Sequence, residues 1–181
     1  MEKRVLVAYA TKYGATAEIA QAIGDTLRKA SLTVDVVEVD ATAAVATYDA
    51  VVLGSAVYAG HWRKEAVEFL DVQKTNLADR PVWIFSSGPT SDGDPIEAMD
   101  GWRFPEAQQP LADFIGPKDI TVFGGYIDPE KLNLGEKLII KAVKAQTGDF
   151  RNWDAIDAWA AGIAETLANM PEEVEEPVAK S

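Results

Sequence analysis

Short apolar runs alternate with amphipathic helical stretches along almost the whole sequence, and that alternation constrains the fold more than any other feature. Val5–Ala10, Ala50–Gly54, Val82–Ser86 and Ile120–Gly124 suit strands buried on both faces. Between them Ile19, Ile23 and Leu27 recur at helical spacing, and Ala66, Phe69 and Leu70 form a similar stripe. Ile156, Trp159, Ala160, Ile163 and Leu167 mark a last helix, with Asn152 as its cap and Asp154 and Asp157 in its first turn. Thr33–Val39 mixes Val34, Val36 and Val39 with Asp35 and Glu38, as an edge strand would. The order β-α-β-(short helix)-β-α-β-α-β-α predicts a parallel sheet with helices on both faces, a three-layer α/β/α sandwich. Five strands suit the order 2-1-3-4-5, although alternation alone does not fix it.

One domain over residues 1–170 accommodates this pattern, followed by an acidic, proline-broken tail at 171–181 that reads as disordered. The sequence has no cysteine and one histidine, which excludes disulfides, thiolate catalysis and cysteine-ligated clusters, and no metal site is expected. Redox chemistry would therefore need an organic cofactor. A formal net charge of −12 disfavours nucleic acid and anionic membranes. No apolar run approaches the ~18–20 residues of a membrane span, and no signal-peptide pattern follows Met1, so a cytoplasmic protein is expected.

In such folds ligands bind beyond the carboxyl ends of the strands. The first such end reads Thr11-Lys12-Tyr13-Gly14-Ala15-Thr16 and runs straight into a helix. Two hydroxyls, a glycine and a helix N-terminus with free amides make a phosphate cradle without acidic side chains. The plainer reading is an ordinary turn with Thr16 as the N-cap. The dinucleotide pattern G-x-G-x-x-G and the triphosphate pattern G-x-x-x-x-G-K-[ST] are both missing. A phospho-receiver of the same fold would want acidic residues where Ala10 and Thr11 stand.

The third strand leads into Ala56, Val57, Tyr58, Ala59, Gly60, His61 and Trp62, an edge rich in aromatic groups. Aromatic side chains stack on a flat ring for roughly 0.5–1.5 kcal/mol beyond burial. The fourth strand ends in Ser86, Ser87, Gly88, Pro89 and Thr90, whose amides and hydroxyls suit the polar edge of such a ring. Tyr58 and Trp62 can instead cover the following helix. His61 is the one candidate proton donor, with a loop or capping role as its plainer reading; no other catalytic residue is singled out.

The segments ATKYGATAEIA, VVLGSAVYAGHWRKEAVEFL and TGDFRNWDAIDAWA together resemble flavodoxin-like proteins of the menaquinone-dependent protoporphyrinogen oxidase type, over most of Lys3–Leu167. The phosphate loop is common to flavodoxins. The G-x-x-x-Y-x-G-H segment from Gly54 and the D-x-x-x-W-D segment from Asp149 are the more specific signs. The resemblance implies a flavodoxin-like fold and FMN, with the phosphate on Thr11–Thr16 and the ring near Tyr58, His61, Trp62 and Ser86–Thr90. It also implies electron flow from a porphyrinogen to a quinone.

Two functional classes follow. The first is an FMN-binding electron-transfer protein with a redox partner protein. Each carboxylate ~10 Å from the flavin opposes added negative charge by roughly 0.4 kcal/mol in a water-like dielectric, so the acidic Asp92, Asp94, Glu97, Asp100 and Glu106 suit a carrier. The second is an FMN-dependent oxidoreductase acting on a quinone or porphyrinogen, for which Trp62, Met99, Trp102 and Phe104 would fold back over the ring. A third reading is an FMN-free interaction module. Lys131–Lys144, with four lysines beside Leu134, Leu138 and Ile139, is either a docking helix for an acidic partner or membrane surface, or a packed helix with a solvated lysine face.

Overall fold

The computed structural model describes residues 3–171. Strands β1 (Arg4–Ala10), β2 (Thr33–Glu38), β3 (Ala50–Tyr58), β4 (His61–Trp62), β5 (Val82–Ser87) and β6 (Asp119–Phe123) form one sheet. Its main path runs β2-β1-β3-β5-β6, every neighbouring pair parallel. Counted along the five long strands this is the order 2-1-3-4-5. β2 lies at an edge, which accounts for its mixed burial.

Helices α1 (Ala15–Lys29) and α6 (Trp153–Asn169) cover one face of the sheet, and α2 (Lys64–Ala78) and α4 (Gln109–Ile115) the other. The sequence spacing explains the packing. Ile19, Ile23 and Leu27 fall on one side of α1 and are fully buried with Val5, Val7, Ile156 and Ile163. Each such side chain contributes roughly 1.5–3 kcal/mol. On the opposite face Phe69, Leu70 and Leu77 of α2 pack with Leu6, Leu53 and Ile84. α6 begins where its sequence indicates, with the Asn152 side chain accepting from the Ala155 amide at 3.1 Å. Asp154 lies in its first turn, while Asp157 accepts from the Thr26 hydroxyl at 3.0 Å and ties α6 to α1.

Two regions depart from the alternation. Between β5 and α4 the chain holds only a short helix, α3 (Pro95–Ala98), capped by Asp94, and a 3-10 turn at Glu106–Gln108. After β6 a two-stranded hairpin, β7 (Tyr126–Ile127) with β8 (Gly148–Asp149), brackets α5 (Leu134–Ala142). α5 opens on a capping box in which Asn133 and Glu136 each accept the other's backbone amide. Among the described residues no helix is long and apolar enough to cross a membrane. The acidic tail expected from 171 onward lies outside the described residues beyond Pro171.

Candidate functional site

Parallel strands deliver their carboxyl ends to one edge of the sheet, so the loops after β1, β3, β5 and β6 meet there. α1 starts directly after the first loop. Its N-cap is Gly14, in the left-handed conformation at φ 93° and without a side-chain cap; Thr16 is the second helical residue, not the cap. The Thr11 hydroxyl oxygen accepts the Gly14 amide at 3.0 Å and closes the loop. The first intrahelical bond runs from Glu18 to the Gly14 carbonyl at 3.2 Å, so the amides of Ala15, Thr16 and Ala17 lie ahead of the helix ladder.

β3 does not stop at Gly54 but continues to Tyr58 and turns back through β4. Ala59 (φ 50°) and Gly60 (φ 77°) are both in the left-handed region, as a two-residue hairpin turn of this hand requires. That turn sets Tyr58 opposite His61 and Val57 opposite Trp62. Tyr58 and His61 are exposed, and partial burial pushes the Tyr58 phenol up, so it stays protonated. Trp62 is different: its indole is buried, packs edge-on against Phe104 at 4.9 Å and donates to the Ser86 hydroxyl at 2.8 Å.

These loops line an open cavity of about 800 Å³, within the ordinary range for small-molecule sites. Thr11, Lys12, Tyr13, Ala15 and Thr16 line it, as do Ala56, Val57, Tyr58, His61, Trp62, Ser87, Gly88 and Thr90. Gly14, Gly60 and Ser86 do not; Ser86 is fully buried beneath it. Of the expected cover only Trp62 lines the cavity: Phe104 packs edge-on against Trp62, and Met99, Trp102 and Phe104 are not part of the lining.

Sequence patterning did not reveal the remaining wall. Tyr126, Ile127 and Leu132 reach the cavity from the hairpin and the turn that follows it, and Ile139, Ile140 and Val143 reach it from α5 and its C-terminal cap. Arg63 and Lys64 line it at the start of α2, and Arg63 carries a buried Nε without a hydrogen-bond partner. Glu136 ties this wall to the phosphate loop, because its carboxylate accepts from both Lys12 Nζ and the Tyr13 hydroxyl. Those bonds, Lys12 first, push the Glu136 carboxyl down to about 2, and Lys12 is correspondingly raised by Glu136. The lysine-bearing segment is thus a helix tethered through Glu136 rather than a packed one: none of its residues is buried. Leu134 and Leu138 are strongly exposed, and the cavity-lining Ile139 and Val143 are exposed as well. The N-x-x-E capping pattern at Asn133 was the available signal for where this helix starts.

The sequence profile described as "Flavodoxin domain" matches residues 6–154. The chain belongs to the flavodoxin domain family. Solved flavodoxins share its fold. One from the domain Archaea superposes with a TM-score of 0.61 at 14% identity, covering 92% of this chain and 99% of that one. The oxidised Flavodoxin 2 of Bacillus cereus gives a TM-score of 0.58 at 23% identity, over 90% of this chain and 99% of that one. The rubredoxin oxygen:oxidoreductase of Desulfovibrio gigas gives 0.57 at 13% identity, over 91% of this chain but 36% of the larger enzyme. Among curated proteins no sequence matches the chain.

Flavodoxin-domain membership implies FMN as the cofactor, and this site fits it. The helix-terminal amides and the Thr11 and Thr16 side chains suit a phosphate. The Tyr58 ring, the Ser87 and Thr90 side chains and the volume of the cavity suit a flat, polar-edged ring system. Among the described residues no group of three or more His, Asp or Glu side chains is placed to hold a metal ion.

Proposed function

We propose that this flavodoxin-domain chain is an FMN-binding redox protein that transfers electrons, with the cofactor phosphate on Thr11–Thr16 and the ring near Tyr58, His61, Trp62 and Ser87–Thr90. The observation that carries the reading is the continuity of one cavity from the first turn of α1 to the aromatic hairpin. FMN supplies one- and two-electron chemistry when bound. The chain's own residues bind and orient it. The α1 amides offset phosphate charge, the neutral Tyr58 phenol offers a stacking face, and the Ser87 and Thr90 side chains offer hydrogen bonds at the ring's edge. Trp62 would contribute as part of the cavity's floor, held in place by Ser86.

A second reading is an oxidoreductase acting on an apolar organic molecule of the quinone or porphyrinogen type. Ile127, Leu132, Ile139, Ile140 and Val143 support it, since they give the cavity an apolar wall that a carrier with an open ring edge does not need. Anaerobic kinetics on the FMN-loaded protein separate the two. Turnover of a soluble quinone or a porphyrinogen above that of free FMN carries the oxidoreductase. Turnover equal to free FMN, with fast and salt-sensitive exchange with a basic acceptor protein, carries the electron carrier. A protein that fails to retain FMN sinks both.

A further inference from the structure

Arg151 lies in the D-x-x-x-W-D segment, in a position the proposed electron transfer does not explain. Its side chain is 5% exposed. Nε and Nη2 donate to the two carboxylate oxygens of Asp149 at 2.8 and 2.7 Å. The fork is held between two rings, with the guanidinium carbon 5.1 Å from the Tyr126 centroid and 4.6 Å from that of Trp153. The remaining nitrogen, Nη1, crosses to the phosphate-loop helix. There it donates to the Ala15 carbonyl at 3.2 Å and to the Glu18 carboxylate.

Ala15 is the first residue of α1, and Glu18 is the acidic residue of its first turn. A carboxylate in that turn stabilises the bare helix end, but it repels an anion bound at the same amides. Arg151 eases this conflict, because its Nη1 donates both to the Glu18 carboxylate and to the Ala15 carbonyl while the fork to Asp149 holds the guanidinium in place. The same side chain stacks on Tyr126, which lines the cavity and pairs with Asp149 across the β7–β8 hairpin. One buried arginine therefore joins the phosphate side of the site to its far wall.

We propose that Arg151 is a positioning residue of the phosphate subsite, fixing the first peptide of α1 through Nη1 and screening part of the Glu18 charge so that a phosphate monoester is accepted there. The proposal rests on the FMN reading given above. A lysine cannot take over the role, since a point charge on a flexible stem makes neither the bidentate pair with Asp149 nor the simultaneous contact with Ala15.

The test compares FMN with riboflavin, which has the same ring and no phosphate, by fluorescence titration of the wild-type protein, Arg151→Gln, Arg151→Lys and the double variant Glu18→Gln/Arg151→Gln. FMN affinity is expected to fall about tenfold or more in Arg151→Gln while riboflavin stays within about threefold. Removing Glu18 in that background should recover part of the loss, because the carboxylate nearest the α1 amides is gone while Asp149 stays unpaired. Equal losses for FMN and riboflavin would mean a merely structural arginine and overturn the proposal, as would unchanged FMN binding. Should Arg151→Gln lack native circular dichroism, Arg151→Lys carries the same comparison. A wild-type protein that binds neither flavin overturns the underlying FMN reading and the proposal together, and that failure shows in the control alone.

Discussion

The indole N–H of Trp62 donates to the Ser86 hydroxyl at 2.8 Å, and that hydroxyl donates onward to the Arg103 carbonyl at 3.0 Å. This relay fixes the Arg103 stretch of the 87–109 connection against β4 and β5 and leaves Tyr58 as the hairpin's free aromatic face. Trp62→Phe should therefore cost about 1–3 kcal/mol of stability in urea denaturation, from a buried donor lost and a hydroxyl left half-satisfied. Tyr58→Ala should leave stability nearly unchanged and weaken FMN by about 0.5–1.5 kcal/mol, the worth of a stacked aromatic pair. The opposite pattern would make Trp62 the stacking residue.

Glu136 gives the site an acid-sensitive tether. Its carboxyl is lowered from 4.5 to about 2, chiefly by Lys12 and then Tyr13. A depressed folded value means stabilisation that is complete above the unfolded value near 4.5 and lost as pH falls through about 2. The difference in urea midpoint between the wild-type protein and Glu136→Gln should therefore be constant from neutral pH to pH 5 and shrink toward pH 2. High salt should reduce it at every pH, because the Lys12 side chain is partly exposed. A difference that does not change with pH would mean that the charge of Glu136 contributes nothing to the tether.

Gly125 marks where the loops after β5 and β6 touch. Its amide donates to the Pro89 carbonyl at 2.8 Å, and a Cβ placed on it would lie 2.8 Å from the Gly88 carbonyl oxygen. Backbone cannot swing aside as a flexible side chain can. Gly125→Ala should lower stability by about 1–3 kcal/mol and weaken FMN as well, because Gly88 lines the cavity. Thermal unfolding and flavin titration of one preparation check both.

What was legible in the sequence was local. Val5–Ala10 and the Ile19, Ile23, Leu27 stripe announced β1 and α1, and repetition of that unit predicted the parallel sheet. The Thr11–Thr16 junction could be found because strand end, glycine and helix start are contiguous. The hairpin at Ala59–Gly60 was missed because an alanine in the left-handed region carries no compositional sign. The Glu136 bonds to Lys12 and Tyr13 span more than 120 residues, and no periodicity links such positions. The apolar wall from α5 was hidden for a related reason. Its cavity-lining Ile139 and Val143 remain exposed, like Leu134 and Leu138, so the apolar stripe did not say which side would face the cavity.

The central claim is that a flavin phosphate sits on the Thr11–Thr16 loop. Fluorescence titration of FMN against riboflavin, in the wild-type protein and in a Thr11→Ala, Thr16→Ala double variant, tests it most directly. The account predicts stoichiometric quenching of FMN by the wild-type protein, a loss of about tenfold or more in the variant, and riboflavin binding that the variant leaves nearly unchanged. FMN binding indifferent to both threonines, or a wild-type protein that does not distinguish FMN from riboflavin, would contradict it and reduce the loop to a turn between β1 and α1.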